Sequence, residues 1–243
     1  MITKETISLN SADFQKGEAI LIDKPSGWSS FKAVHEIRKA AGVRKVGHAG
    51  TLDPMATGLL ILCTGRMTKE ISSFQDKVKT YTGTILLGKT SPSMDLESEV
   101  TEEKSVEGIS EDEIFSARDK FLGNIMQTPP MYSALKVNGK RLYELARKGK
   151  SVKREPREVN ISKFEITKIS LPEVHFEISC SKGTYIRVIA HDFGNYLGCG
   201  ALLSSLRRTK IGEHSVEKAL TPSEFAEITV KKRKTASGGA AGN

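Results

Sequence analysis

The order of helical and strand-like patterns along these 243 residues limits the fold more than any other feature. Residues 30–41 repeat apolar side chains at helical spacing, and Gly42 is placed to end that helix. Four apolar or alternating runs are typical of strands, at residues 59–63, 81–87, 165–169 and 174–180. Because strands and helices do not alternate regularly, the sequence predicts an α+β fold with a largely antiparallel sheet flanked by helices.

A second helix has clear end signals near residue 110. Ser110 and Glu113 are spaced as a capping box, and Ile109 and Ile114 as a hydrophobic staple. Further helices are predicted at residues 67–74, 141–148 and 184–197, and residues 221–228 allow one short helix at most. The polar, acidic residues 91–108 have no clear period and indicate a surface excursion.

The charge of the chain permits a polyanionic partner. The formal net charge is +8, and the run of residues 231–234 supplies four of those positive charges. No stretch approaches the roughly 18 apolar residues of a membrane span. The N-terminus has no apolar core after a basic start, so no signal peptide is predicted. We expect no membrane partner and a cytoplasmic location.

The cysteines and histidines do not indicate a metal site. Cys63, Cys180 and Cys199 are widely spaced, odd in number and form no CxxC pair, which favours reduced thiols over a disulfide framework. The five histidines show no metal-ligand spacing with these cysteines. The sequence therefore predicts no bound metal.

Residues 47–58 contain the highest density of residues that could take part in a reaction. This stretch has three glycines, a proline, Asp53 and His48, set between a predicted helix and a buried strand. Glycine allows positive φ and close backbone approach, and Asp53 before Pro54 is biased away from helix. The spacing matches neither a phosphate-binding loop nor a dinucleotide fingerprint. On the residues alone, Asp53 could equally be a turn residue and His48 a structural histidine.

Residues 47–60, GHAGTLDPMATGLL, closely resemble the catalytic motif of TruB-type tRNA pseudouridine synthases. Residues 22–30 resemble the KPxGxxS motif of that family, and residues 79–81 and 88–90 with Asp95 resemble its tyrosine motif. Residues 127–136 resemble its RNA-contacting insertion, and residues 179–187 and 206–208 its C-terminal active-site motifs. The resemblance extends from about residue 20 to residue 212.

The resemblance implies a pseudouridine-synthase-like fold and an isomerase that converts uridine to pseudouridine in tRNA, at position 55 of the T-loop, after flipping the base. Asp53 would be the catalytic carboxylate, Arg187 its counter-charge, and Tyr81 would stack on the uracil. Substrate contacts are further implied for His48, Lys24, Pro25, Tyr185, Leu206, Gly50, Thr51 and Leu52. No cofactor or metal is implied, and the expected partner is the T-arm of tRNA, bound by a monomer.

The domain prediction follows from the same resemblance. A catalytic domain is predicted over residues 1–228, with an RNA-binding insertion at about 124–155 and a basic, disordered tail at 229–243. Only about thirty residues follow Gly212, too few for a full C-terminal PUA domain. Substrate binding would then depend on the insertion and the basic tail.

Three other functions stay open at this point. The chain could be a non-catalytic tRNA-binding and folding factor, in which case Asp53 would be dispensable. It could modify a uridine of another RNA, alone or with a guide RNA. Without the resemblance, an Asp-dependent hydrolase is also possible, although residues 47–58 contain no second carboxylate.

Overall fold

The structure is a computed structural model that describes residues 1–6, 9, 12–137 and 139–238. Its strands are β1 Ala19–Lys24, β2 Val46–His48, β3 Thr57–Thr64, β4 Lys79–Leu87, β5 Lys89–Thr90, β6 Glu102–Glu103, β7 Gly123–Gln127, β8 Lys136–Val137, β9 Lys140–Arg141, β10 Arg157–Ser170, β11 Glu173–Cys180, β12 Ala201–Ile211 and β13 His214–Ser215. Its α-helices are α1 Ser30–Ala41, α2 Ile71–Asp76, α3 Glu111–Asp119, α4 Leu142–Ala146, α5 Ile186–Tyr196 and α6 Pro222–Gly238. Two 3-10 helices span Gly65–Glu70 and Val216–Lys218. The chain divides into two compact units, Met1–Thr80 with Arg207–Asn243 and Tyr81–Leu206.

The first unit is built on β3. Strand β1 pairs antiparallel with β3, with Ala19 opposite Cys63, β2 pairs antiparallel with it, and β12 pairs parallel to it at Thr57 and Arg207. Alternate residues of β1 and β3 enter two apolar clusters, one with α1 and α6 and the other with Phe74 of α2. Both faces of β3 are therefore buried, which explains its continuous apolar run.

Helix α1 begins and ends where the sequence predicts. The N–H of Lys32 donates to the Ser29 hydroxyl at the start, and Gly42 ends the helix in the left-handed conformation with its N–H on the Arg38 carbonyl. Its buried side chains include Ala33, Val34 and Ile37.

The second unit contains strands in the order β12, β4, β11, β10, β7, of which β12 contributes its residues 201–206. Strand β10 pairs antiparallel with β11 on one side and with β7 on the other. Helices α3 and α5 pack in this unit around a cluster of aromatic rings from Phe121, Phe164, Phe176 and Phe193. These pairings confirm the prediction of an α+β fold with a largely antiparallel sheet and flanking helices.

The predicted insertion lies between two paired strands. Gly123 of β7 is opposite Ile161 of β10 and Gln127 is opposite Arg157, so residues 128–156 leave the sheet and return to it. In that excursion β8 and β9 form a short hairpin that leads into α4. The predicted start at residue 124 falls inside β7, so the excursion begins four residues later.

Two predictions of local structure need correction. Residues 91–108 do not lie entirely on the surface, because Ser91, Ser93 and Asp95 are buried. The Asp95 backbone also forms an isolated β-bridge with Leu203. Helix α6 continues to Gly238 instead of ending near residue 228, since no glycine or proline interrupts residues 223–237. Residues 239–243 of the predicted disordered tail lie outside the described residues.

The three cysteines, all within the described residues, are buried thiols that form no disulfide. Burial, with a smaller contribution from Glu70, raises the pKa of Cys63 to about 11. Across the described part of the chain, no helix combines the length and apolarity that crossing a membrane requires.

Candidate active site

Asp53 lies in the loop that joins β2 to β3 in the first unit. Its side chain is half-buried, and its carbonyl accepts the N–H of Ala56 at 3.1 Å. The backbone at Asp53 is neither helix nor strand, as predicted for a residue before proline. The carboxylate is therefore presented from a turn.

Arg208 of β12 holds the glycine-rich part of this loop. It is 1% exposed, and its guanidinium donates to the Leu59 carbonyl at 2.8 Å and to the Gly50 carbonyl at 3.1 Å. The Gly58 backbone packs directly against the Arg208 backbone. Its φ is +103°, and a Cβ there would collide with the Arg208 carbonyl oxygen. Gly50 also has positive φ, at +93°. The predicted need for glycine is confirmed at these two positions.

Ser30, the first residue of α1, holds the loop just before Asp53. The Leu52 N–H donates to the Ser30 hydroxyl oxygen at 2.8 Å, and that hydroxyl lies 3.0 Å from the Leu52 carbonyl. Leu52 is buried and Thr51 is exposed. One small side chain therefore fixes both backbone groups of the residue next to the carboxylate.

Lys24 holds the loop on the other side of Asp53. It is fully buried, and its ammonium donates to the carbonyls of Trp28 at 2.6 Å, Pro25 at 2.9 Å and Pro54 at 3.3 Å. The Gly27 N–H also donates to the Pro54 carbonyl, at 2.9 Å. Residues 24–30 and the Asp53 loop are thus joined by hydrogen bonds on both sides of the carboxylate.

Lys24→Met is expected to lower the free energy of unfolding by about 3 kcal/mol, because three backbone carbonyls lose their buried charged donor. Turnover should fall as well, since the Pro54 carbonyl loses one of the two donors that hold the turn at Asp53. Thermal and urea unfolding measure the first effect, with Lys39→Met, an exposed change on α1, as the matched control. Equal stability of the two variants would contradict the bracing role.

His48 lies on β2, at the start of the same loop, and is partly buried. Burial is the main cause that lowers its pKa below the ordinary 6.5, and the charge of Arg208 lowers it further, against an opposing hydrogen bond with Gly50. The imidazole is therefore neutral at pH 7.

The lowered pKa of His48 predicts a loss of stability in acid. The unfolded chain binds a proton at this site below about pH 6.5, and the folded chain does so only at lower pH. The free energy of unfolding should therefore fall as the pH drops from 7 to below 6.5. His48→Gln should remove the part of this decrease that comes from protonation of His48. An NMR titration midpoint for His48 at or above 6.5 would contradict the assignment.

Arg187 lies in the first turn of α5, in the second unit. Its side chain is 4% exposed, and Nη1 lies 3.5 Å from Oδ2 of Asp95, which is 1% exposed. Asp95 Oδ1 accepts the N–H of Glu97 at 3.0 Å. A positive charge near a helix N-terminus is slightly unfavourable, and the buried carboxylate offsets it.

Tyr185 comes directly before α5 and its backbone is fixed by Gln127. The Gln127 amide accepts the Tyr185 N–H at 2.7 Å and donates to the Tyr185 carbonyl at 3.1 Å. The guanidinium of Arg187 lies 5.7 Å from the centre of the Tyr185 ring, and that of Arg157 lies 5.1 Å from it. The ring thus has two cationic neighbours.

Tyr81 and Leu206 lie on the neighbouring strands β4 and β12 of the second unit. Both side chains are buried. An aromatic and an apolar side chain on adjacent strands are residue types that pack well against a flat heterocyclic base.

The predicted site residues are divided between the two units. Asp53, His48, Gly50, Thr51, Leu52, Lys24 and Pro25 lie together in the first unit, and Arg187, Tyr185, Tyr81 and Leu206 lie in the second. Sequence reasoning gave no role to four residues that position these groups: Ser30, Asp95, Gln127 and Arg208. Each lies in a segment that resembles a family motif, but its positioning role depends on a contact with a residue distant in sequence. Among the described residues, no cluster of His, Cys, Asp or Glu could hold a metal ion.

The chain matches one protein family over most of its length. Residues 38–186 match the TruB family pseudouridylate synthase (N terminal domain), and residues 187–238 match the tRNA pseudouridylate synthase B C-terminal domain. A tRNA pseudouridine synthase B of Flavobacterium johnsoniae is 49% identical, covering 88% of this chain and 97% of the relative. One of Chloroherpeton thalassium is 51% identical, covering 88% and 91%.

Solved structures show the same fold. A chain of a Cbf5-Nop10-Gar1 complex matches with a TM-score of 0.72 at 26% identity, over 97% of this chain and 61% of that chain. A chain of an archaeal box H/ACA Nop10-Cbf5 complex matches with a TM-score of 0.68 at 23% identity. This chain therefore spans less than two thirds of the length of these solved relatives.

Proposed function

The chain belongs to the TruB family and is a tRNA pseudouridine synthase, and we propose that it acts on uridine 55 of the T-loop with Asp53 as its catalytic carboxylate. The observation that carries the proposal is the support around Asp53. Lys24, Ser30 and Arg208 together hold the loop before and after this residue. A side chain carried by a loop that is held in this way is suited to meet a reacting atom in one geometry.

The reaction breaks the glycosidic bond from C1′ to N1 and forms a bond from C1′ to C5. The proton on C5 leaves and N1 gains one, so the substrate neither gains nor loses electrons. We therefore propose that no redox cofactor takes part. Asp53, ionised beside the ribose, would either attack the sugar or remove a proton from it.

The roles predicted for the second unit stay predictions. Arg187 would act as the counter-charge of Asp53, Tyr81 would stack on the uracil, and Tyr185 and Leu206 would line the base pocket. What supports them is that Tyr81, Leu206 and Arg187 are buried and that Tyr185 has a fixed backbone. A buried guanidinium beside an aromatic ring is also a common arrangement for recognising a base.

The target uridine is stacked in the folded T-loop and must be flipped out, which costs a few kcal/mol. We propose that the neutral imidazole of His48 occupies the space that the base leaves. The insertion would bind the phosphate backbone, because it exposes the basic side chains Lys136, Lys140, Arg147, Lys148, Lys150 and Lys153. The T-arm as the bound element, the monomeric state and the cytoplasmic location remain parts of this proposal.

The target position is tested with two transcripts of one tRNA, the natural sequence and a twin with cytidine in place of uridine 55. We expect one pseudouridine per natural transcript, mapped to position 55, and none in the twin. Modification that persists in the twin would assign the enzyme to another uridine.

A further inference from the structure

Phe31 is 74% exposed, although it lies in the first turn of a well-packed helix. The residues that α1 buries lie on its other face, at Ala33, Val34 and Ile37. A single exposed apolar side chain is common and implies nothing by itself. The residues next to Phe31 in the chain indicate a role for this ring.

The backbone around Phe31 is tied to the Asp53 loop. Ser30, the preceding residue, holds both backbone groups of Leu52. Four residues earlier, the Ser26 hydroxyl donates to the Met55 carbonyl at 3.3 Å, and the Gly27 N–H donates to that of Pro54. The segment that presents Phe31 is therefore hydrogen-bonded to the residues on either side of Asp53.

Close to Phe31 in the sequence, a second aromatic ring contacts a cation. The exposed Lys32 ammonium lies 4.6 Å from the centre of the half-buried Trp28 ring. The Trp28 carbonyl is held by the buried Lys24, so this ring also has a fixed backbone. The first turn of α1 contains no acidic residue. Aromatic faces stack unpaired bases and basic side chains pair with their phosphates, so this short segment carries both kinds of group.

We propose that Phe31, Trp28 and Lys32 form a stacking platform for an unpaired nucleotide of the substrate tRNA, one that flanks the target uridine. Phe31 would stack on the base and Lys32 would pair with its phosphate. The platform would set the register of the strand when the tRNA binds. This inference rests on the proposed role of Asp53, because that residue fixes where the target lies.

The test compares Phe31→Ala and Phe31→Trp with the wild type, using natural tRNA transcript as the probe. Stacking on one base contributes enough that Phe31→Ala should raise KM and Kd for tRNA about tenfold, with kcat at saturating tRNA nearly unchanged. Phe31→Trp keeps an aromatic face and should restore binding to within about threefold. Tyr196→Ala, which removes another exposed aromatic side chain from a helix, is the control and should bind normally.

A second arm locates the nucleotide. In a series of T-arm hairpins, each lacks the base of one nucleotide next to the target. The wild type should bind one of these hairpins more weakly than the others. Phe31→Ala should bind that hairpin and the others equally. Unchanged tRNA binding by Phe31→Ala, or equal losses for Phe31→Ala and Phe31→Trp, would overturn the platform. Wild-type protein that binds tRNA without isomerising it would instead refute the proposed function, and the binding data would still decide the platform.

Discussion

Arg187→Lys is expected to lower the turnover of tRNA about 100-fold or more, while tRNA binding stays within about twofold of the wild type. The guanidinium is buried, faces Asp95 and lies beside the Tyr185 ring, so these contacts fix its orientation. Lysine keeps the charge but has no planar fork with which to orient a carboxylate. The loss should therefore appear in kcat and not in the affinity for tRNA.

Asp95→Asn tests the ion pair between Arg187 and Asp95 by changing its acidic partner. Removing one partner of a buried ion pair costs about 3 kcal/mol of stability, and turnover should fall with it because Arg187 loses a positioning partner. Arg66→Lys, the same chemical change at an exposed position, is the control for Arg187→Lys and should behave as wild type. Single-turnover kinetics and filter binding separate the two effects. Near-normal turnover by Arg187→Lys would refute its catalytic role.

Local signals in the sequence predict several elements of this fold closely. The hydroxyl of Ser29 and the left-handed Gly42 define α1, and the capping box of Ser110 and Glu113 begins α3 where predicted. These features succeed because capping groups act within one helical turn. The strand at residues 59–63 is also confirmed within β3, although its two-sided burial is a tertiary property.

Long-range contacts account for what the sequence does not reveal. Asp95 sits in a polar, acidic stretch without periodicity, and only its contacts with Leu203 and Arg187 explain its burial. Arg208 reaches Gly50 across 158 positions of the chain. On physical grounds alone, Asp53 resembles an ordinary turn residue. The structure adds the hydrogen bonds that hold its loop, and these arise from the packing of β1, α1 and β12.

Asp53→Asn has the largest effect that this account predicts. The amide has nearly the same shape but cannot attack the sugar or accept a proton from it, so either chemical path should stop. We expect turnover to fall at least about 10⁴-fold, as happens when an enzyme loses its nucleophile or base. Binding of tRNA and thermal stability should stay close to wild type, because Lys24, Ser30 and Arg208 hold the loop through backbone groups. Asp112→Asn, the same change at an exposed position of α3, is the control.

Tritium release from tRNA labelled at C5 of its uridines tests this claim most directly, because the C5 proton leaves only when the new bond to C1′ forms. Wild type and Asp112→Asn are predicted to release about one equivalent of tritium per tRNA, and Asp53→Asn none above background, while all three bind the tRNA. Release by Asp53→Asn at a rate near that of the wild type would contradict the assignment of Asp53 as the catalytic carboxylate.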